Sequence, residues 1–243
     1  MQNISDNVAS VLARVKAAAE SAGRSADDIV VVAASKMNGY SQVREAYDSG
    51  IHVFGENRVQ ELVEKQKLDA YSGAQLHFIG HLQRNKVKSI VGLVSLIHSV
   101  DSVSLMTEIE KVASARGITQ DVLLELNISG EESKSGFPAV QLPEMLAFAA
   151  QCPHIRVRGL MTVPPICDDY DNNGRYFDLM NQLFIDNSSK KYDNVRMDFM
   201  SMGMSGDFES AIAHGANMVR IGSAIFGPRN YSASEVPIDG FHG

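Results

Sequence analysis

The stretch Ile29-Val30-Val31-Val32-Ala33-Ala34-Ser35-Lys36 decides how the chain is read. A short run of β-branched and small apolar residues fits a strand covered on both faces, as in a parallel sheet, and the lysine marks where that strand gives way to a loop. On the rim of a core an ammonium is partly desolvated, which lowers its pKa and frees the amine to attack a carbonyl. The competing reading is a lysine whose stem lies on the core edge and whose head reaches water. Lys36 is thus a candidate Schiff-base lysine, and the rest of the chain has to weigh for or against it.

Working outward, the same kind of run recurs. Strands are expected at Ile29 to Ser35, His52 to Gly55, Leu76 to Gly80, Leu96 to Val100, Val122 to Ile128, Arg156 to Thr162, Met197 to Met202 and Met218 to Gly222. Between them lie segments of helical period: Ser41 to Ser49, Asn57 to Leu68, Arg84 to Val91, Val103 to Arg116, Ala139 to Ala150, Asn173 to Asn187 and Asp207 to His214. Strands alternating with helices imply parallel βα units. At this length, closure into an α/β (β/α)8 TIM barrel over residues 1–243 is favoured over an open doubly wound sheet. Asp101 is the expected cap of the helix ending at Gly117, and Ser205 of the short helix before Gly215. The segments Pro164 to Asn173 and Asp186 to Asn194 read as surface loops.

Ahead of the first strand, Ile4, Val8, Val11, Leu12, Val15 and Ala19 share one face of an amphipathic helix that stops near Gly23, which is unlike a secretory signal. The 243 residues are 44% hydrophobic and carry a net charge of −7. That acidic balance argues against nucleic acid or an anionic membrane as partner, because both call for clustered Lys and Arg. No window approaches the roughly 18 apolar residues needed to cross a bilayer. Cys152 and Cys167 form no CxxC pair and read as ordinary thiols in a reducing, cytoplasmic compartment.

In such a barrel the chemistry sits at the C-terminal strand ends, so these can be read as one set: Lys36, Glu56, Asn57, His81, Ser99, Asn127, Met161, Thr162, Met202 to Ser205, Gly222 and Ser223. The segments Ser201-Met202-Gly203-Met204-Ser205-Gly206 and Arg220-Ile221-Gly222-Ser223 follow the seventh and eighth strands. Their glycines let backbone N–H groups approach a phosphate and their serines add hydroxyl donors; taken singly they would be ordinary tight turns. A phosphate cup opposite a carbonyl-seeking lysine fits pyridoxal 5'-phosphate, which carries both groups on one ring.

The runs Val32 to Lys36, Phe54 to Asn57, His77 to Lys86, Ile97 to Asp101, Asn127 to Phe137, Arg158 to Thr162, Ser201 to Ser205 and Val219 to Gly227 resemble, in order and over nearly the whole chain, the pyridoxal phosphate homeostasis family. The resemblance implies the barrel of the alanine racemase N-terminal domain, an internal Schiff base at Lys36, phosphate contacts from Ser205, Gly222 and Ser223, and Arg220 near the pyridine nitrogen. Asn57, Ser201 and Met204 complete the candidate cofactor site. The turn Met37-Asn38-Gly39 departs from the Thr-Lys-Pro type of relatives and leaves the conformation of that loop open.

Two function classes follow. A cationic Arg220 at the ring nitrogen keeps the ring unprotonated and a poor electron sink. A racemase also needs a second acid or base, and the resemblance implies that related racemases take theirs from a C-terminal β domain for which this chain has no room. Tyr40, Tyr47, Tyr71, Tyr170, Tyr176, Tyr192 and Tyr231 read as packed or exposed rather than as replacements. His77 and His81 are separated by Gly80, which breaks a metal-pair geometry; they read as packing or hydrogen-bonding residues, and His52, His98, His154, His214 and His242 form no constellation. The expectation is a monomer that holds pyridoxal phosphate, buffers it or delivers it to apo-enzymes, with other B6 vitamers as further ligands and no robust catalysis of its own. The alternatives are an amino-acid racemase and a class I aldolase-type barrel.

Overall fold

The computed structural model describes residues 3–165, 173–189 and 192–228. Most of the expected Pro164–Asn173 loop, together with Cys167, Tyr170, Tyr231 and His242, lies outside the described residues. Eight strands among those described form one closed parallel ring: β1 (Val30–Ala34), β2 (Val53–Glu56), β3 (Gln75–Phe78), β4 (Leu96–Val100), β5 (Gln120–Asn127), β6 (Ile155–Thr162), β7 (Val195–Ser201) and β8 (Met218–Ile221). Each pairs with the next, and β8 returns to β1 with Val32 opposite both Val53 and Arg220. The β7–β8 seam is thin, with Ser201 paired to Met218, and the Asn217 side chain spans it by accepting from Met200 N at 2.7 Å and donating to the Asp198 carbonyl at 2.7 Å.

The helices are α1 (Ile4–Ser21), α2 (Tyr40–Asp48), α3 (Val59–Lys67), α4 (Val87–Ile90), α5 (Val103–Arg116), α6 (Leu142–Ala149), α7 (Gly174–Ser188), α8 (Phe208–Ala213) and α9 (Ser223–Phe226). Strand alternation splits the apolar residues into two cores. Val32, Ile79, Leu96, Leu123, Met161 and Met218 fill the barrel, while Ala33, Phe54, Phe78, Ile97 and Leu124 face outward into the larger core under the helices. The two-sided burial explains why these strands read as continuous apolar runs.

Several local expectations are corrected. The helix at Arg84 to Val91 is a 3-10 turn, Arg84–Lys86, followed by the single turn α4, because its buried residues Val87 and Ile90 span only one turn. Likewise Ala139–Gln141 is a 3-10 turn, and α6 begins only where Pro143 falls in the first turn, a place where a missing N–H costs little. The cap of α5 is Ser102, whose hydroxyl accepts from Leu105 N at 3.3 Å; Asp101 instead faces His81 at 3.4 Å. At α8 the cap residue is Asp207, which accepts from Met204 N at 2.6 Å and leaves Ser205 for another role. Phe137–Pro138 adds a two-residue strand outside β5.

The additional N-terminal helix α1 starts at an Asn3 cap and buries the stripe Ile4, Val8, Val11, Val15 and Ala19. It buttresses the segments after β7 and β8. Arg14 meets Glu209 at 2.6 Å, Asn7 Nδ2 donates to the Ile225 carbonyl at 2.9 Å, and Arg24 Nη1, just past the helix, donates to the Ala216 carbonyl at 2.7 Å. Among the described residues no helix is long and apolar enough to cross a membrane.

Candidate functional site

At the C-terminal mouth of the ring a cavity of about 350 Å3 opens between Lys36 and the segments after β7 and β8. One wall is Ala34, Lys36, Asn38, Asn57 and Ile79; the other is Met204, Ser205, Gly206, Gly222 and Ser223, with Arg220 also lining it. Its size falls in the range of about 300–1,000 Å3 common for small-molecule sites. Of the sequence-predicted residues, Lys36, Asn57, Met204, Ser205, Arg220, Gly222 and Ser223 therefore meet around one space.

Ser201 sits differently. It is fully buried below that space and bonds to Arg220 and His98, so it bears on the cavity through Arg220. Of the methionines in this stretch, Met200 and Met202 are core, Met197 packs against the same core, and Met204, past the strand, lines the cavity.

The anion side of the cavity is built from backbone. Ser205 Oγ accepts from Gly222 N at 3.1 Å and from Ala224 N at 3.3 Å, so two N–H groups converge on one acceptor position. Gly203, with φ +91 and no room for a Cβ against Ala211 at 2.6 Å, makes the turn that brings Ser205 there. On the other wall, Asn57 carries a buried Oδ1 with no protein partner, a group that a ligand donor would satisfy. A Cβ on Gly80 would lie 2.2 Å from the Asn57 carbonyl oxygen, which is why the segment just past β3 has a glycine at this point.

Arg220 is 5% exposed. It donates from Nη1 to Ser201 Oγ at 2.6 Å and from Nη2 to the Thr162 carbonyl at 2.8 Å. Burial pulls its pKa down to about 10, partly opposed by Glu125 and Asp207, and it stays cationic at neutral pH. His98 continues the chain, with Nδ1 at 3.1 Å from Ser201 Oγ and Nε2 at 3.0 Å from His77 Nδ1. Burial lowers His77 to about 4 and His98 well below its usual value, His77 and Arg220 adding to the latter. Glu125 faces the opposite way: burial and then Asp101 raise it to about 7, with Arg220 working against them, and its Oε2 has no protein partner.

The His77–His98 contact departs from the expectation that His98 belongs to no constellation. The available signal is a histidine at the third position of each of the adjacent strands β3 and β4, flanked on both sides by apolar or small residues. His81 stands apart at the surface, paired with Asp101. Among the described residues no group of three or more His, Cys, Asp or Glu side chains is arranged to hold a metal ion.

Comparison with known proteins agrees with this architecture. Residues 3–230 match the family described as alanine racemase, N-terminal domain. A pyridoxal phosphate homeostasis protein of Aquifex aeolicus is 42% identical over 229 residues, covering 94% of this chain and all of that protein. One of Escherichia coli is 39% identical over 236 residues, covering 96% and 99% of the two chains. The structure of PipY from Synechococcus elongatus with pyridoxal phosphate bound superposes with a TM-score of 0.79 at 29% identity, over 92% of this chain and 100% of that one. A lysine, a backbone anion cup and a buried arginine around one barrel-mouth cavity, in a chain alike over nearly its full length, place this protein in the pyridoxal phosphate homeostasis family, on the alanine racemase N-terminal domain fold.

Proposed function

We propose that this chain binds pyridoxal phosphate reversibly in the barrel-mouth cavity and serves to hold, buffer or deliver it. The observation that carries the reading is that Lys36 shares a single cavity with Ser205 and Gly222, where the Gly222 and Ala224 N–H groups converge on Ser205 Oγ. The residues fit the group. Lys36 offers an amine, and Ser205, Gly222 and Ser223 offer donors to a dianionic phosphate. Asn57 has an unsatisfied buried acceptor, and Arg220 offers N–H donors to the ring nitrogen. When bound, the cofactor supplies an aldehyde that an amine can condense with, releasing water. The relative with pyridoxal phosphate in its structure supports the same assignment.

Arg220 also argues for a carrier rather than a catalyst. Arginine has no acceptor and stays charged, so a ring nitrogen facing it must itself accept and remain unprotonated. A neutral ring takes up carbanion charge poorly, which suits storage better than amino-acid chemistry. The same reading extends to other B6 vitamers as ligands, apo-enzymes as recipients, a monomeric state and a cytoplasmic setting. Sedimentation of the purified protein with and without cofactor tests the monomer, which a dimer mass would overturn.

The direct test is borohydride reduction of protein mixed with pyridoxal phosphate, followed by peptide mass mapping. Hydride addition to the carbon–nitrogen double bond leaves a stable phosphopyridoxyl group, expected on Lys36. Modification elsewhere, with Lys36 untouched, would overturn the reading. Solvent deuterium entering an added amino acid at its α-carbon, at enzyme-like turnover, would overturn the carrier half.

A further inference from the structure

Behind Lys36, outside the cavity lining, lies a buried ion cluster. Lys65 on α3 is 7% exposed, and its Nζ donates to Glu56 Oε1 at 2.6 Å, Glu61 Oε1 at 2.7 Å and the Ser35 carbonyl at 2.7 Å. Those three bonds match the three protons of an ammonium. Glu56 Oε1, fully buried, also accepts from Ser35 Oγ at 2.7 Å and from the Tyr71 hydroxyl at 2.7 Å. Glu61 Oε1 also accepts from the Met37 backbone N–H at 2.5 Å. Asn38 closes the turn, donating from N to the Ser35 carbonyl at 3.1 Å and from Nδ2 to the Lys36 carbonyl at 3.0 Å.

The peptide groups on both sides of Lys36 are thereby gripped. Lys65 holds the Ser35 carbonyl, Glu61 holds the Met37 N–H, and the two grips are joined to each other by an ion pair. Met37 needs such a hold, since its φ of +63 lies in the left-handed region that a side-chain-bearing residue enters at a cost. Cohesion alone does not explain the cluster, because apolar side chains of similar volume would dock α3 on the barrel at least as well as buried ions do. What apolar packing cannot supply is a directional hold on two backbone atoms.

We propose that Lys65 and Glu61 are positioning residues that set the direction in which the Lys36 amine enters the cavity. The inference rests on the cofactor reading and names residues that would control how well the amine meets the aldehyde. Glu61 is the member to vary, as its side chain is 20% exposed, whereas removing Lys65 would strand the fully buried Glu56. Glu61→Ala removes the acceptor for Met37 N–H; Glu61→Gln keeps an oxygen there.

Two ligands separate positioning from general damage. Pyridoxal phosphate can condense with Lys36, whereas pyridoxine phosphate has the same ring and phosphate but an alcohol in place of the aldehyde. Glu61→Ala is expected to weaken pyridoxal phosphate binding and slow borohydride trapping at Lys36 by about tenfold. Its affinity for pyridoxine phosphate should be unchanged, the Met37 amide should lose hydrogen-exchange protection in the ligand-free protein, and Glu61→Gln should recover most of the loss. Equal weakening toward both ligands, or Glu61→Ala trapping at the wild-type rate, would overturn the positioning role while leaving the cofactor site standing. A wild-type protein that forms no Lys36 adduct would instead overturn the cofactor reading, and this inference with it.

Discussion

The guanidinium of Arg220 donates to the hydroxyl of Ser201 at 2.6 Å, and that bond anchors the barrel's buried polar chain. Arginine can only donate, so Ser201 Oγ accepts from it, and the same hydroxyl, with a second lone pair and a proton of its own, also bonds His98 Nδ1 at 3.1 Å. His98 Nε2 in turn meets His77 Nδ1 at 3.0 Å, one ring donating and the other accepting. Both rings are neutral in this arrangement, in keeping with the burial that lowers their pKa values. The chain orients Arg220 without placing a second charge beside it.

Ser201→Ala breaks this chain at its centre, leaving an Arg220 N–H and His98 Nδ1 without their shared partner. Loss of a buried bond to a charged group is expected to lower stability by about 1–3 kcal/mol. Because Arg220 is no longer held from below, pyridoxal phosphate affinity should fall as well. Urea denaturation and absorbance titration measure the two effects; unchanged affinity at reduced stability would confine the chain to a folding role.

Glu125 gives the fold a pH dependence of defined sign. Its pKa rises from an ordinary 4.5 to about 7 in the folded protein, chiefly through burial. Between those values the native state holds a proton that the unfolded chain has lost, so this group's contribution makes stability fall as pH climbs from about 4.5 to about 7 and leaves it level above. Glu125→Gln removes the buried charge and should raise stability at pH 8 by about 3 kcal/mol while flattening that slope. Urea unfolding of both proteins at pH 5 and pH 8 checks this, and an equal difference at the two pH values would contradict it.

The barrel was legible because its strands are short apolar runs with both faces covered, a pattern that needs only local sequence. The Leu96–Val100 strand was expected and observed with the same ends. The cavity lining was legible for a related reason: in a parallel barrel, residues just past strand ends share one mouth, so the sequence alone groups Lys36, Ser205 and Gly222. Cap identities at α5 and α8 were not, since Asp101 and Ser102, or Ser205 and Asp207, are all competent caps and the choice falls to tertiary partners such as His81 and Gly222 N. The His77–His98 contact and the Lys65 cluster were missed for the same cause. Their partners lie far apart along the chain, and a lone histidine or an i,i+4 Glu61–Lys65 pair reads locally as an ordinary surface or core residue.

Ser205 gives a test of the anion cup that does not involve Lys36. Its hydroxyl occupies the position where the Gly222 and Ala224 N–H groups converge, so it fills the acceptor place that a phosphate oxygen would share or take. In Ser205→Asp a carboxylate would hold that place permanently, satisfying both N–H groups while repelling a second anion. The variant should fold, because its new charge is met by donors already pointing at it. Its affinity for pyridoxine phosphate, which binds through ring and phosphate alone, should drop by more than about tenfold, the scale of two lost charge-assisted hydrogen bonds. Pyridoxal, which lacks the phosphate, should still be trapped on Lys36 at the wild-type rate. Isothermal titration and borohydride trapping give the two readouts. If Ser205→Asp binds pyridoxine phosphate as tightly as the parent, the phosphate lies elsewhere and the turn after β7 is only a turn.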